Sequence, residues 1–305
     1  MAEILMKAAS FVAIIAMGYC LRRAGFFKES DFGLLSKIVL KITLPAAIVT
    51  NFSKIELDPS MLGLALPGFL GGGGAFLILL ALALNAHKSR DSRAFDILNL
   101  SGYNIGNFTM PFAQGFLGPM GVAATSLFDT GNAFVCLGGS YSLAVIAKGE
   151  KGGFSVRNIV RTMLRSVPFD TYLFMTILSL LHWRLPECVV NFSGIVGGAN
   201  SFMAMLMIGV GFKVSGSRSQ TGRIVKTLGI RYGVSAALAA VYMFLLPIGL
   251  EYRQALVILA FSPIASSSPA YTGLIEGDVG LASAINSLSI VISLVLITGA
   301  LLLML

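Results

Sequence analysis

Two polar stretches that contain proline lie inside hydrophobic segments of this sequence, and they hold the residues best placed for ligand chemistry. The first is 101–119 (SGYNIGNFTMPFAQGFLGP) and the second is 262–277 (SPIASSSPAYTGLIEG). A lipid-facing helix cannot leave the backbone groups freed by Pro and Gly unpaired in hydrocarbon. The pattern therefore predicts two helices that are broken beside a polar cavity, an arrangement that forms binding sites in secondary transporters.

The first stretch offers neutral donors and acceptors. Asn104, Asn107 and Thr109 carry amide and hydroxyl groups, and Pro111 follows them. Proline removes one amide donor and blocks the preceding helical turn. We therefore expect the helix to break at Pro111 and these side chains to face the substrate.

The second stretch carries a hydroxyl cluster followed by a proline. Ser268 is predicted to cap a helix whose first residue is Pro269, with Ser266 and Ser267 beside it. Free amides at such a helix start favour a carboxylate. These four residues, together with the four named in the first stretch, form the predicted substrate site. The alternative is a pair of kinked helices whose Ser and Gly only serve packing.

Asp129 is the clearest ionisable residue inside a hydrophobic segment, and Asn132 follows it on the same helical face. Such residues are functional candidates by default. This pair is predicted to carry a coupling proton or to help hold Na⁺. Alternatively, Asp129 accepts hydrogen bonds from a neighbouring helix or pairs with Lys41. Arg231 is predicted to reach the cytoplasmic membrane surface with its long side chain.

Composition sets the class of protein. Of 305 residues, 56% are apolar and 12% are charged, about half the charged share of a soluble domain. Mean hydropathy is +0.84. Apolar runs long enough to cross a bilayer predict an all-α polytopic membrane protein with about ten spans. We place them at 4–21, 32–51, 61–84, 95–117, 118–147, 168–183, 189–212, 223–247, 252–275 and 279–305.

The positive charges predict the orientation of the chain. Most Lys and Arg lie in the first, third, fifth and seventh connections, whereas the even-numbered ones carry only Lys54, Arg184 and Arg253. The positive-inside rule puts the odd connections in the cytoplasm and both termini outside. It also explains the net charge of +8 without a nucleic-acid partner. The first apolar run precedes Arg22 and Arg23, and we interpret it as a span rather than a signal peptide.

An internal repeat is indicated by the positions of the two polar stretches. Pro111 aligns with Pro269 and Gly115 with Gly273 when the halves are superposed. We divide the chain into a first five-helix repeat (1–148), a cytoplasmic connector (149–167) and a second repeat (168–305). An odd number of spans per repeat predicts that the second copy is inverted in the membrane.

Three segments resemble the auxin efflux carrier family, including its bacterial malate and malonate permeases. They are LPAAIVTNFSKIEL, GYNIGNFTMPFAQGFLGPMG and PAYTGLIEGDVGLASAINS. The resemblance implies the fold of bile-acid symporters and sodium/proton antiporters, with broken helices four and nine crossing. It also implies a scaffold of spans 1, 2, 6 and 7, often dimeric, and a transport domain of spans 3–5 and 8–10. A bacterial member would lie in the inner membrane.

The predicted function is a secondary transporter of small organic anions, such as malate, malonate or auxin-like acids, working by alternating access. The alternative is a sodium-coupled symporter of the bile-acid type. The direction of transport and the choice of H⁺ or Na⁺ stay open. We expect no enzyme, cofactor or metal site, because the cysteines lack metal-ligand spacing and His87 and His182 fall at span ends.

Overall fold

The structure is a computed structural model that describes residues 2–28, 30–71, 75–84, 89–149, 155–212 and 220–305. In these ranges the chain is helical, and a single isolated β-bridge is present. The helices, numbered here in chain order, are α1 Ala2–Arg23, α2 Asp31–Phe52, α3 Pro59–Leu70, α4 Ala75–Leu84, α5 Arg90–Leu100, α6 (105–117), α7 Gly118–Phe134, α8 Ser140–Lys148, α9 Val156–Met163, α10 Val167–Leu180, α11 Glu187–Gly198, α12 Asn200–Gly211, α13 Thr221–Phe244, α14 Leu250–Ala260, α15 Ser268–Leu274 and α16 Val279–Met304.

Long apolar helices dominate because a helix satisfies its own backbone in lipid. Six helical stretches of the described residues are long and apolar enough to cross a membrane. They are Leu5–Arg23, Asp31–Phe52, Ile105–Lys148, Glu187–Gly211, Thr221–Phe244 and Val279–Met304. Two shorter apolar helices are Pro59–Leu70 and Val167–Leu180. The polytopic all-α class is confirmed, whereas the number of spans and the inverted repeat stay predictions.

The first polar stretch is interrupted earlier than predicted. Helix α5 ends at Leu100, residues 101–104 are unwound, and Gly102 has a φ of 78° that glycine adopts readily. Pro111 lies inside α6 instead of at the break, so that prediction is wrong. Turns of the π type at Ile105–Thr109 and Ala113–Leu117 flank the proline. Their wider hydrogen-bond pattern accommodates the missing amide.

The second polar stretch is interrupted where predicted. Helix α14 ends at Ala260, residues 261–267 are not helical, and α15 begins at Ser268 with Pro269 in its first turn. Proline is tolerated there because that amide would have no helical partner. We call 101–104 the first break and 261–267 the second break.

Small residues let the helices around the breaks approach closely. A Cβ on Gly68 of α3 would lie 1.9 Å from the Phe128 carbonyl oxygen, and one on Gly131 of α7 2.0 Å from the Ala65 carbonyl oxygen. Glycine at such a seam gives helices close van der Waals contact in lipid. This contact fixes α7, which carries Asp129 and Asn132, against α3. Of the glycine run at 71–74, only Gly71 lies within the described residues.

Candidate functional site

The two breaks meet and pair with each other. Tyr103 and Ile264 form an antiparallel bridge, and the Asn104 amide donates to the Pro263 carbonyl at 2.9 Å. All four residues are buried. Unwound backbone is tolerated at membrane depth only where it is enclosed by protein or lines a cavity. The pairing therefore satisfies backbone groups that neither helix can satisfy alone.

An asparagine from a neighbouring helix braces each break. In α7, Asn132 accepts from the Tyr103 amide and donates to the Tyr103 carbonyl, both at 3.0 Å. In α16, Asn286 donates to the carbonyls of Ile264 at 3.0 Å and Ala265 at 3.2 Å. An amide side chain offers both a donor and an acceptor, so it can replace a missing backbone partner. Asn132 was predicted to be a coupling residue, and the structure shows that it braces the first break.

Arg231, which lies in α13, forms hydrogen bonds at both breaks. Its side chain is 0% exposed, which corrects the prediction that it reaches the membrane surface. The guanidinium donates to the carbonyls of Leu100, Gly102, Ser262 and Pro263. A buried cation therefore holds the carbonyl ends of α5 and α14 together.

Three predicted substrate residues lie around this pairing. The Asn107 side-chain amide donates to the Ser266 hydroxyl at 3.4 Å. The other amide atom, Asn107 Oδ1, is buried and has no hydrogen-bond partner in the described part of the chain. Ser266 is exposed, and Asn104 is buried beside Pro263. A buried polar atom without a partner is costly, so it marks a place where a ligand would be stabilised.

The remaining predicted substrate residues contact protein. Thr109 is fully buried, with its hydroxyl 2.6 Å from that of Ser262, and Pro111 is buried inside α6. Ser267 donates to the Cys136 carbonyl at 3.5 Å. Ser268 was predicted to cap α15, and this prediction is wrong. Its hydroxyl donates instead to the Leu98 carbonyl at 2.7 Å. These contacts join the second break to α5 and to the distorted turn Val135–Gly139.

Asp129 is half-buried and is held by neutral donors. Its two carboxylate oxygens accept from Asn132 Nδ2 at 2.8 Å and from the Tyr172 hydroxyl of α10 at 3.1 Å. The predicted alternative partner Lys41 is exposed. Among the described residues, no ion pair involves Asp129. Asn132 thus connects this carboxylate directly to Tyr103 in the first break.

Two cavities lie in other parts of the described structure. One of about 820 Å³ lies near Lys54, His182 and Arg184, on the predicted outer side. Another of about 330 Å³ lies between α5 and α13, near Asp96 and Arg223, and reaches Leu100 at the end of α5. Neither is lined by the predicted substrate residues. His87 lies outside the described residues, and within them no cluster of His, Cys, Asp or Glu could hold a metal ion.

Comparisons with known proteins agree with this architecture. The sequence profile of the family described as "Membrane transport protein" matches residues 3–151. An "Uncharacterized transporter" of Methanothermobacter thermautotrophicus is 24% identical over 297 residues, covering 94% of this chain and 93% of the relative. An "Uncharacterized transporter" of Methanocaldococcus jannaschii is 26% identical over 280 residues, covering 88% of each.

The helical architecture and these matches define an integral membrane transport protein. The resemblance to the auxin efflux carrier family predicted from the sequence is confirmed over residues 3–151, which the profile of that family matches.

Two residues of the site were missed or misplaced by the sequence interpretation. Arg231 was assigned to the membrane surface, although a cation within an apolar run was itself a signal of function. Asn286 received no role, yet an amide inside the apolar run that forms α16 is the same signal as Asn132 in α7. Both act across long sequence separations, so their partners could not be read from local patterns.

Proposed function

We propose that this protein is a secondary transporter of small organic anions that works by alternating access. One observation carries the proposal: where the breaks pair, the Asn107 amide contacts the exposed Ser266 hydroxyl, and Asn107 Oδ1 has no partner among the described residues. A buried guanidinium donates to the Pro263 carbonyl of the same break as Ser266. Polar groups arranged in this way suit a ligand with both hydrogen-bonding groups and negative charge. No catalytic role is assigned.

The proposed architecture has ten spans in two inverted repeats, in which broken helices four and nine cross. Spans 3–5 and 8–10 would move against a scaffold of spans 1, 2, 6 and 7 and expose the site to each side in turn. The contact between Tyr103 and Ile264 supports this crossing. We further propose a homodimer through the scaffold, with both termini outside the bacterial inner membrane.

The proposed substrates are carboxylates such as malate, malonate or auxin-like acids. Asn104, Asn107 and Ser266 would hydrogen-bond the carboxylate, because an amide group can turn to present its NH₂ to an acceptor. Thr109, Pro111, Ser267, Ser268 and Pro269 would shape the two breaks around these groups. This division follows from their contacts, since the hydroxyls of Thr109, Ser267 and Ser268 already bind protein.

For coupling, the observations favour a proton over Na⁺. Both oxygens of the Asp129 carboxylate accept hydrogen bonds from protein donors, and the Asn132 oxygen is used by the Tyr103 amide. Sodium requires several free oxygen ligands, whereas a proton requires one. The sodium-coupled alternative would be supported if anion uptake required Na⁺ at every pH.

Asn107→Ala tests the site. In proteoliposomes that contain the purified full chain, we expect this variant to lose malonate and indole-3-acetate uptake, because it removes the buried amide that faces Ser266. The thermal unfolding midpoint in detergent reports whether the variant remains folded.

Asn51→Ala is the matched control. Asn51 is also a buried amide, but its side chain donates to the Ala47 carbonyl of its own helix α2. We expect uptake close to that of the unmodified protein. Unchanged uptake by a folded Asn107→Ala variant would refute the proposed site.

A further inference from the structure

Arg231 is the largest side chain among the fully buried residues of the described chain. It extends from α13, one of the helices long enough to cross the membrane. Removing a cation from water inside a membrane is expensive, and such residues are retained for function. The partners of Arg231 show what this function is.

Among the described residues, the guanidinium donates to four backbone carbonyls, two from the region of each break. Its distances to the carbonyl oxygens of Gly102, Ser262 and Pro263 are 2.8, 3.2 and 3.4 Å, and it also contacts the Leu100 carbonyl. Leu100 ends α5, and Ser262 and Pro263 follow α14. Carbonyls past the end of a helix lack helical donors and carry partial negative charge. Arg231 therefore supplies donors to both helix ends at once.

Among the described residues Arg231 forms no ion pair, and the Asp129 carboxylate reaches the first break through Asn132 without contacting the guanidinium. In the described part of the chain, the ion pairs join Arg184 to Glu56 and Arg223 to Asp96. The Nε atom of Arg231 has no hydrogen-bond partner, and its guanidinium carbon lies 4.7 Å from the centre of the Tyr103 ring. Carbonyls and an aromatic face stabilise a cation but leave its net charge in place. The paired breaks therefore carry a fixed positive charge.

One carbonyl connects Arg231 to the proposed substrate residues. The Pro263 carbonyl accepts from Arg231 and also from the Asn104 amide at 2.9 Å. Asn107 follows Asn104 by a single turn of α6, and Ser266 follows Pro263 within the second break. The separation of these substrate groups therefore depends on the carbonyls that Arg231 holds.

We propose that Arg231 is a positioning residue that also makes the site selective for carboxylates. It fixes the position of one break relative to the other, and its charge favours an anion over a neutral ligand of the same shape. This inference rests on the proposed function, since it concerns the same site. A guanidinium suits both tasks because its planar group presents several donors and stays protonated.

Selectivity between an acid and its amide tests the proposal. Binding of malonate and malonamide, and of indole-3-acetate and indole-3-acetamide, would be measured on the purified full chain. We expect the unmodified protein to prefer one of the acids by about tenfold or more, a ratio that affinity measurements resolve readily. Arg231→Gln should bind acid and amide about equally, whereas Arg231→Lys should keep the preference because it keeps the charge.

The matched control is Lys226→Gln, which removes one exposed cation from the same helix. It should leave the ratio of acid to amide affinity unchanged, and an equal loss of preference would overturn the specific role of Arg231. A folded Arg231→Gln variant that keeps the ratio would also overturn it, because a purely structural role weakens both ligands alike. If Arg231→Gln does not fold, Arg231→Lys decides, since loss of preference with the charge retained contradicts the proposal. An unmodified protein without any preference for an acid refutes the proposed function itself.

Discussion

The two breaks solve the same backbone problem with different chemistry. The first is braced at Tyr103 by Asn132, whose amide also donates to the Asp129 carboxylate. The second is braced by Asn286, while the Ile264 amide donates to the Ser289 hydroxyl. Arg231 donates to carbonyls at both breaks, so the difference between them is the Asp129 carboxylate, which is connected to the first break.

In the proposed transport cycle, this difference provides a route from ion binding to substrate binding. A proton arriving at Asp129 changes the acceptor of Asn132, which in turn holds both backbone groups of Tyr103. Tyr103 is paired with Ile264, so the change reaches the second break through the bridge. Coupling in this protein would therefore enter through the first break.

The largest expected effect comes from removing the braces. Asn132→Leu removes the partner of the Tyr103 amide and leaves the Tyr103 carbonyl only the weak thiol donor of Cys136 at 3.6 Å. An unsatisfied buried group costs about 1–3 kcal/mol. Asn286→Leu removes donors from two carbonyls, of which that of Ala265 keeps the Ser268 amide. We therefore expect a larger fall in the thermal unfolding midpoint for Asn132→Leu than for Asn286→Leu.

Asn51→Leu provides the baseline for this pair, because its amide bonds only within α2. Its unfolding midpoint should fall least of the three variants. Equal losses for Asn132→Leu and Asn286→Leu would mean that the two braces do not differ.

The helices and the existence of two breaks could be predicted because their causes are local. Apolar runs require helices in lipid, and the polar, Gly- and Pro-containing stretches cannot face it. The position of the first break was missed because Pro111 is tolerated between two π-type turns, whereas Gly102 begins the unwound segment. Neither feature has a distinctive local signal.

The contacts that assemble the site could not be predicted from the sequence. Arg231 bonds to Leu100 and Gly102, and Ser268 to Leu98, across sequence separations of 131, 129 and 170 residues. These partners depend on how the helices pack in three dimensions. Asp129 and Asn132 could be selected as candidates from the sequence because an ionisable residue inside an apolar segment is expensive wherever it packs.

Asp129→Asn tests whether the carboxylate gives the first break its coupling role. We expect uptake to lose its dependence on an inward proton gradient, since the amide cannot take up a proton. Substrate binding should remain, because Asn107 and Ser266 are unchanged. Uptake in proteoliposomes with and without the gradient, each with and without Na⁺, measures this.

The matched control is Asp96→Asn, which removes another part-buried carboxylate, one that pairs with Arg223 at 3.5 Å. Its proton dependence should match that of the unmodified protein. If a folded Asp129→Asn variant keeps its response to the gradient, Asp129 has only a structural role.

The smallest expected effect is that of Tyr172→Phe, which removes one hydrogen bond of 3.1 Å from the Asp129 carboxylate. A donor to a carboxylate favours its charged form, so its loss lets Asp129 bind a proton at higher pH. The midpoint of the pH dependence of uptake should therefore move upward, by an amount consistent with a net hydrogen-bond energy of about 1 kcal/mol. Tyr232→Phe removes a hydroxyl that donates to the Ser289 carbonyl, beside the second break, where the brace contains no carboxylate. The midpoint of the pH dependence of uptake should not change in Tyr232→Phe. A shift as large as that of Tyr172→Phe would show that both breaks respond to protons.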